Sequence, residues 1–234
     1  MIDLHTHVLP GIDDGSRDIH MTRDMLMLEK EQGVDLVVAT PHFYAHRTRV
    51  DQFLQKREHA LNKVMNLKSE EPDLPEIKVG AEVYYFTGIG RAEHIRELCI
   101  QGTDYILLEL PFRPWDREVL TDIKELKSRQ HLKVILAHVE RYRDMQKDKS
   151  LYEDVLDAGD IIQMNSGSFL EAGMLKRRNM FKTADSGRRM ILGSDCHNTS
   201  SRKPNLQEGL GLIEKKLGEE KVREIKETLE GLFR

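Results

Sequence analysis

Seven short apolar runs in the sequence each end in a side chain able to bind a metal ion or hold a hydrogen bond. The first two endings are His5-Thr6-His7 and Ala39-Thr40-Pro41-His42; Glu82 follows Gly80-Ala81, and Glu109 follows Leu108. The last three are Ala137-His138, Met164-Asn165-Ser166 and Gly193-Ser194-Asp195-Cys196-His197. Residues i and i+2 of an extended segment face one way, so the His5/His7 and Asp195/His197 pairs each aim two donors into one space. Gathering imidazoles and carboxylates without a cation is costly, through desolvation and like-charge repulsion. A metal cluster removes that cost, and the donors are too many for one ion. The set needs no thiolate, which favours Mn, Fe or Zn. Two or three divalent ions bridged by a carboxylate are suited to displacement at phosphorus, because they activate a bound water and neutralise phosphate oxygens. His20, His46, His59, His94 and His131 fall outside these strand ends and are read as ordinary helix or loop histidines.

The runs that must position these donors are 2–5, 35–40, 77–81, 105–110, 133–137, 160–164 and 190–193. Strands of this length separated by charged, helically periodic stretches read as repeated βα units around a parallel sheet. Ser16 is expected to cap a helix reaching about Gln32, with Gly33 as its stop. Apolar spacing predicts further helices over 50–67 and 206–232, the second broken at Gly218, with a loop at 70–75 where two prolines and three acids cluster. Seven units argue for a closed, distorted (β/α)7 barrel over an open sheet. Chemistry in either architecture sits beyond the carboxyl ends of the strands, where all the donors above fall. With no composition shift, residues 1–234 read as one domain.

Composition narrows the class. The 234 residues carry 36 Lys+Arg against 40 Asp+Glu, a net charge of -4, and lack a long basic tract, which argues against a nucleic-acid partner. The apolar runs are far too short for a membrane helix, and the opening Met1-Ile2-Asp3-Leu4-His5 does not resemble a signal peptide. With only Cys99 and Cys196, a disulfide framework is excluded and a cytoplasmic setting is expected.

The segments 1–7, Asp13-Asp14-Gly15, 39–42, Gly80-Ala81-Glu82-Val83-Tyr84-Tyr85, 137–142 and 194–198 together resemble the PHP (polymerase and histidinol phosphatase) superfamily. Within it, the chain is most similar to the manganese-dependent protein-tyrosine phosphatases of bacterial capsule and exopolysaccharide operons. The resemblance implies a three-metal site. His5, His7, Glu82 and Asp195 would hold the first ion. Glu82 would bridge to a second, completed by Glu109 and His138, and Asp14, His42 and His197 would hold the third. It also implies that Arg141 and Arg202 bind the substrate phosphate, for which the planar guanidinium fork is suited. The implied reaction is attack of a metal-bridging hydroxide on phosphotyrosine, with a bacterial tyrosine autokinase as partner.

Other readings remain open at this level. A small-molecule phosphomonoesterase such as histidinol-phosphate phosphatase would share the ligands. A non-catalytic phosphoprotein-binding module would be expected to show gaps in them. Cys196 and Arg202 also fit the Cys-x5-Arg pattern of cysteine-dependent phosphatases. Against that, the intervening five residues contain no glycine, and the adjacent Asp195 would raise the thiol pKa. Two rim segments are ambiguous as well. Loop 43–49, rich in aromatic and basic residues, is either a docking loop for a phosphorylated tail or an ordinary solvated one. Pro111, Phe112, Pro114 and Trp115 either form an apolar rim or plug the barrel mouth.

Overall fold

All seven apolar runs become strands in the computed structural model, which describes residues 1–234. In chain order the elements are β1 (Ile2–Thr6), α1 (Ile19–Glu31), β2 (Leu36–Ala39), β3 (His42–Phe43), α2 (Val50–Glu70), β4 (Glu76–Val79), β5 (Glu82–Tyr84) and β6 (Tyr105–Glu109). They continue with α3 (Arg117–Ser128), β7 (Lys133–Leu136), α4 (Lys149–Ala158), β8 (Ile161–Asn165), α5 (Ser166–Glu171), α6 (Met174–Ala184), β9 (Met190–Gly193), α7 (Leu206–Leu217) and α8 (Glu219–Glu230).

The nine strands lie on seven lines. β2 and β3 are one line interrupted at Thr40-Pro41, where proline has no N–H to give a ladder; β4 and β5 are another, interrupted at Gly80-Ala81. Pairing is parallel throughout, in the orders β1-β2-β4 and β3-β5-β6-β7-β8-β9. Across the interruptions, the Glu82 N–H donates to the carbonyls of Thr40 (3.3 Å) and Pro41 (3.1 Å). The ring closes between β1 and the end of β9: the Asp195 N–H donates to His5 O (2.8 Å), the His7 N–H donates to Cys196 O (2.9 Å), and Thr6 bridges Cys196 in parallel. The result is a distorted (β/α)7 barrel. Its apolar core includes buried Leu4, Val37, Leu107, Ile135, Ile162 and Leu192 from six of the seven lines.

Local details depart from expectation in three places. Asp18, not Ser16, caps α1, its Oδ1 accepting from the Met21 N–H (2.9 Å); the buried Ser16 hydroxyl instead donates to the Asp18 carbonyl (2.9 Å). The β5–β6 connection holds no α-helix, only 3₁₀ turns at Ile89–Arg91 and Ile95–Leu98, since Gly88 and Gly90 lower helical propensity there. And α2 extends to Glu70, so the Pro72/Pro75 loop begins at Glu71. The α1 stop at Gly33 and the α7–α8 break at Gly218 fall as expected, both in the left-handed half of φ (78° and 91°). No helix is long and apolar enough to cross a membrane.

Candidate metal centre

The nine residues named as ligands converge at the carboxyl end of the barrel. The His5 Nε2 lies 3.1 Å from Glu82 Oε2 and 3.6 Å from Asp195 Oδ1, and the His7 Nε2 lies 3.3 and 3.4 Å from the same two oxygens. The two Nε2 atoms are themselves 3.4 Å apart. These five separations, between 3.1 and 3.6 Å, are those expected of donors that share one small cation at about 2.1 Å. Glu82 turns its other oxygen to a second group: Oε1 is 2.8 Å from His138 Nε2, which is 3.6 Å from Glu109 Oε1. Asp14 Oδ1 stands 3.4 Å from His42 Nε2 and 3.5 Å from His197 Nε2, forming the third group. His42 faces both ways, because its Nδ1 lies 3.0 Å from Glu82 Oε2 and 3.8 Å from Glu109 Oε2.

Backbone features bring these side chains together in ways that strand alternation alone does not. Asp195 and His138 both adopt positive φ (52° and 32°), an uncommon conformation for residues with a side chain and one that clusters at functional sites. Asp195 and His197 therefore converge through a left-handed residue, not through an extended i, i+2 pair. Asp14 is carried by a turn that doubles back over β1. A Cβ at Gly15 would sit 2.2 Å from the His7 carbonyl oxygen, so only glycine lets the turn lie that close. On the opposite side, a Cβ at Gly193 would meet the His5 Cβ at 2.8 Å.

A layer of partners behind the ligands orients the rings. The His5 Nδ1–H donates to Gln163 Oε1 (3.1 Å), the His7 Nδ1–H to Asp13 Oδ2 (2.7 Å), and the His197 Nδ1–H to the Asp195 carbonyl (2.9 Å). Each acceptor lacks a proton to give, so Nδ1 carries the hydrogen and Nε2 presents its lone pair to the cavity. His138 Nδ1 meets the Tyr142 hydroxyl (3.1 Å), which also accepts from the Leu110 N–H (3.0 Å). Gln163 Oε1 additionally accepts from the His138 N–H (2.7 Å). Gln163 Nε2 then donates to Asn165 Oδ1 (2.8 Å), and Asn165 Nδ2 to Asp195 Oδ2 (2.7 Å). Asp13, Gln163 and Tyr142 were not singled out as site residues by sequence. The available signal was a glutamine inside the apolar run Ile161-Ile162-Gln163-Met164.

Without a cation the centre is in electrostatic conflict. Glu82 Oε2, Glu109 Oε2, His42 Nδ1 and His197 Nε2 are buried and have no hydrogen-bond partner. Burial, then the charge of Glu82, pushes Glu109 up to about 7, while burial, then neighbouring His7, pushes His197 down to about 3. Burial also opposes ionisation of Glu82 and Asp195, yet the charge that His5 carries in the absence of metal outweighs it and holds both well below the usual carboxylate range. Orphaned lone pairs, packed acids and rings locked in one tautomer fit divalent ions.

Arg141 and Arg202 stand at the rim. Each places Nη2 2.9 Å from Asp195 Oδ2, and their side chains are about one-third exposed, at 33% and 38%. Cys196 points the other way, buried against Glu29 (3.5 Å). Burial, then the charges of Glu29 and Asp3, raises its thiol well above the ordinary value. A thiol so placed cannot act as the nucleophile, and the Cys-x5-Arg pattern is coincidental. Trp115 does not form an exposed rim: it is buried, packs on Tyr142 and Tyr152, and donates its indole N–H to Pro111 O (3.0 Å). Phe112 is left at the rim.

The family model for capsular polysaccharide synthesis proteins, CpsB/CapC, matches residues 1–228. Tyrosine-protein phosphatase YwqE of Bacillus subtilis is 29% identical over 239 residues, covering 100% of this chain and 92% of its own length. Tyrosine-protein phosphatase CpsB of Streptococcus pneumoniae is 27% identical, covering 96% and 94%. A crystal structure from work on those two proteins, described as unique metal-dependent tyrosine phosphatases, aligns with TM-score 0.86 at 26% identity, covering 100% of this chain and 94% of that one. The structure of hisK from Listeria monocytogenes shares the fold alone, with TM-score 0.50 at 14% identity over 84% of this chain and 95% of that one. The chain belongs to the CpsB/CapC family of capsular polysaccharide synthesis proteins.

Proposed function

We propose that the protein is a metal-dependent protein-tyrosine phosphatase that acts in capsule or exopolysaccharide synthesis, with a bacterial tyrosine autokinase as its phosphorylated substrate and manganese as its metal. The carrying observation is the set of buried, unpartnered ligand atoms on Glu82, Glu109, His42 and His197 beneath two rim guanidiniums. End-to-end similarity to named tyrosine-protein phosphatases supports the substrate class.

His5, His7, Glu82 and Asp195 would hold one ion; Glu82, Glu109 and His138 a second; and Asp14, His42 and His197 a third. Bound divalent ions would supply a nucleophile at neutral pH and neutralise phosphate oxygens. The chain's own residues do the rest. Asp195 Oδ2 accepts from Arg141, Arg202 and Asn165 together, which fixes both guanidiniums in place while leaving their remaining N–H groups for phosphate oxygens. Those donors take up equatorial charge in the transition state and hold the phosphoryl group in line. The tyrosyl leaving group, with a pKa near ~10, departs without a strong acid.

The test compares metal-depleted and manganese-reloaded protein on phosphotyrosine peptide, histidinol phosphate and a nucleotide diester. Activity restored by metal with phosphotyrosine preferred is the expected result. Preference for histidinol phosphate by orders of magnitude, or full activity without metal, would refute the reading.

A further inference from the structure

Aromatic rings at the mouth are confined to one arc. Tyr44 and Tyr84 lie two residues beyond His42 and Glu82 on neighbouring strand lines, so each line carries a ring one step past a ligand. Tyr44 sits 5.4 Å from the His42 ring and 5.5 Å from Tyr84, and the Arg47 guanidinium lies 4.6 Å from the Tyr44 centroid. The next line, β6, leads into Phe112. Its ring lies nearly parallel to His138 (5.8 Å between centroids, 19° between planes) and is backed by Tyr142 at 5.3 Å. Phe112 is nonetheless 46% exposed, one of four large apolar side chains exposed on the molecule and the one resting on a member of the ligand set. Arg141, from the turn after β7, and Arg202, from the loop after β9, both direct Nη2 to Asp195 Oδ2 at 2.9 Å.

We propose that Phe112, with Tyr44 and Tyr84 extending the same wall, is the platform on which the substrate's phenyl ring stacks, and that it makes the site prefer aryl over alkyl phosphate esters. This rests on the phosphotyrosine reading above and adds the residue that enforces it. A phosphate held by Arg141 and Arg202 leaves its ester substituent facing the arc of rings. A phenyl group there gains offset-stacked contact with Phe112, at the 4.5–7 Å centroid spacing aromatic pairs favour. A serine or other alkyl phosphate offers no ring and gains nothing from the wall.

The test is calorimetric titration of manganese-loaded wild type, Phe112→Ala and Phe112→Trp with phenylphosphonate and methylphosphonate, neither of which is hydrolysed. The wild type is expected to bind phenylphosphonate more tightly. Phe112→Ala should weaken phenylphosphonate about five- to tenfold, leave methylphosphonate within about twofold and retain full metal content, while Phe112→Trp keeps the preference. Equal weakening of both ligands, or no aryl preference in the wild type, overturns the proposal. The functional reading fails separately, through a manganese-loaded wild type that leaves phosphotyrosine peptide intact.

Discussion

Asp13 touches none of the proposed metal positions directly, yet replacing it should weaken metal binding measurably. Its carboxylate accepts from His7 Nδ1 (2.7 Å), from the Gly15 N–H (2.9 Å) and from the His42 N–H (3.1 Å), so one side chain orients two ligands and the turn that carries Asp14. Burial opposes its ionisation, but the charge and hydrogen bond of His7 outweigh that and hold the carboxyl well below its usual range. Asp13→Asn keeps the shape and one acceptor oxygen but removes the charge that fixes the His7 tautomer. Loss of such an outer partner costs about 10–100-fold in metal affinity or activity. The assay is manganese titration against a competing chelator, with thermal unfolding of the metal-free form as control. Asp13 also carries a pH signature. A depressed folded-state pKa stabilises above the unfolded value near ~4 and loses that contribution as pH falls, so wild type and variant should converge in stability in acid. Unchanged manganese affinity in Asp13→Asn would show that His7 needs no orienting partner and would refute the argument.

Arg141→Ala and Arg202→Ala should each retain bound metal while lowering kcat/KM on phosphotyrosine peptide by about 10²-fold or more, measured with metal analysis on the same samples. Cys196→Ala should keep kcat within about twofold, because the thiol faces Glu29 and not the cavity. Burial and the charge of Glu82 push Glu109 up to about 7 without metal, neighbouring carboxylates raise His5 and His7 as well, and ligands bind metal only when deprotonated, so manganese affinity should fall by about tenfold or more per pH unit below 7 and keep rising above it until those imidazoles have lost their protons. Titrations between pH 5.5 and 8.5 would check this.

Strand positions were legible because each line is a short apolar run, and eight of the nine expected ligands were legible because they fall at or just past the ends of those runs. What escaped the sequence is what depends on distance through space. Gln163 lies 158 residues from His5, and only the folded ring shows that it orients that imidazole. Asp14 is visible through family resemblance alone, since it sits in a turn that folds back on β1 and not at a strand end. The Ser16 cap failed because Ser16 is buried and its hydroxyl is already committed to Asp18 and Thr22, leaving the exposed Asp18 to cap α1. The expected alternation at Asp195 failed because a left-handed residue redirects the chain there.

The hydrogen bonds joining His5 to Asp195 and His7 to Cys196 tie together segments almost at opposite ends of the polypeptide. A ribosome-bound chain that has released six strand lines holds most of its barrel but lacks both the last wall and the donors Asp195 and His197. Assembly of the centre is thus deferred until synthesis has passed residue 197, and closing so long a loop is an intrinsically slow step. Metal captured at that point would act as a rivet across the join, so amide exchange at His7 and Asp195 should slow far more on loading than exchange at the β6–β7 ladder.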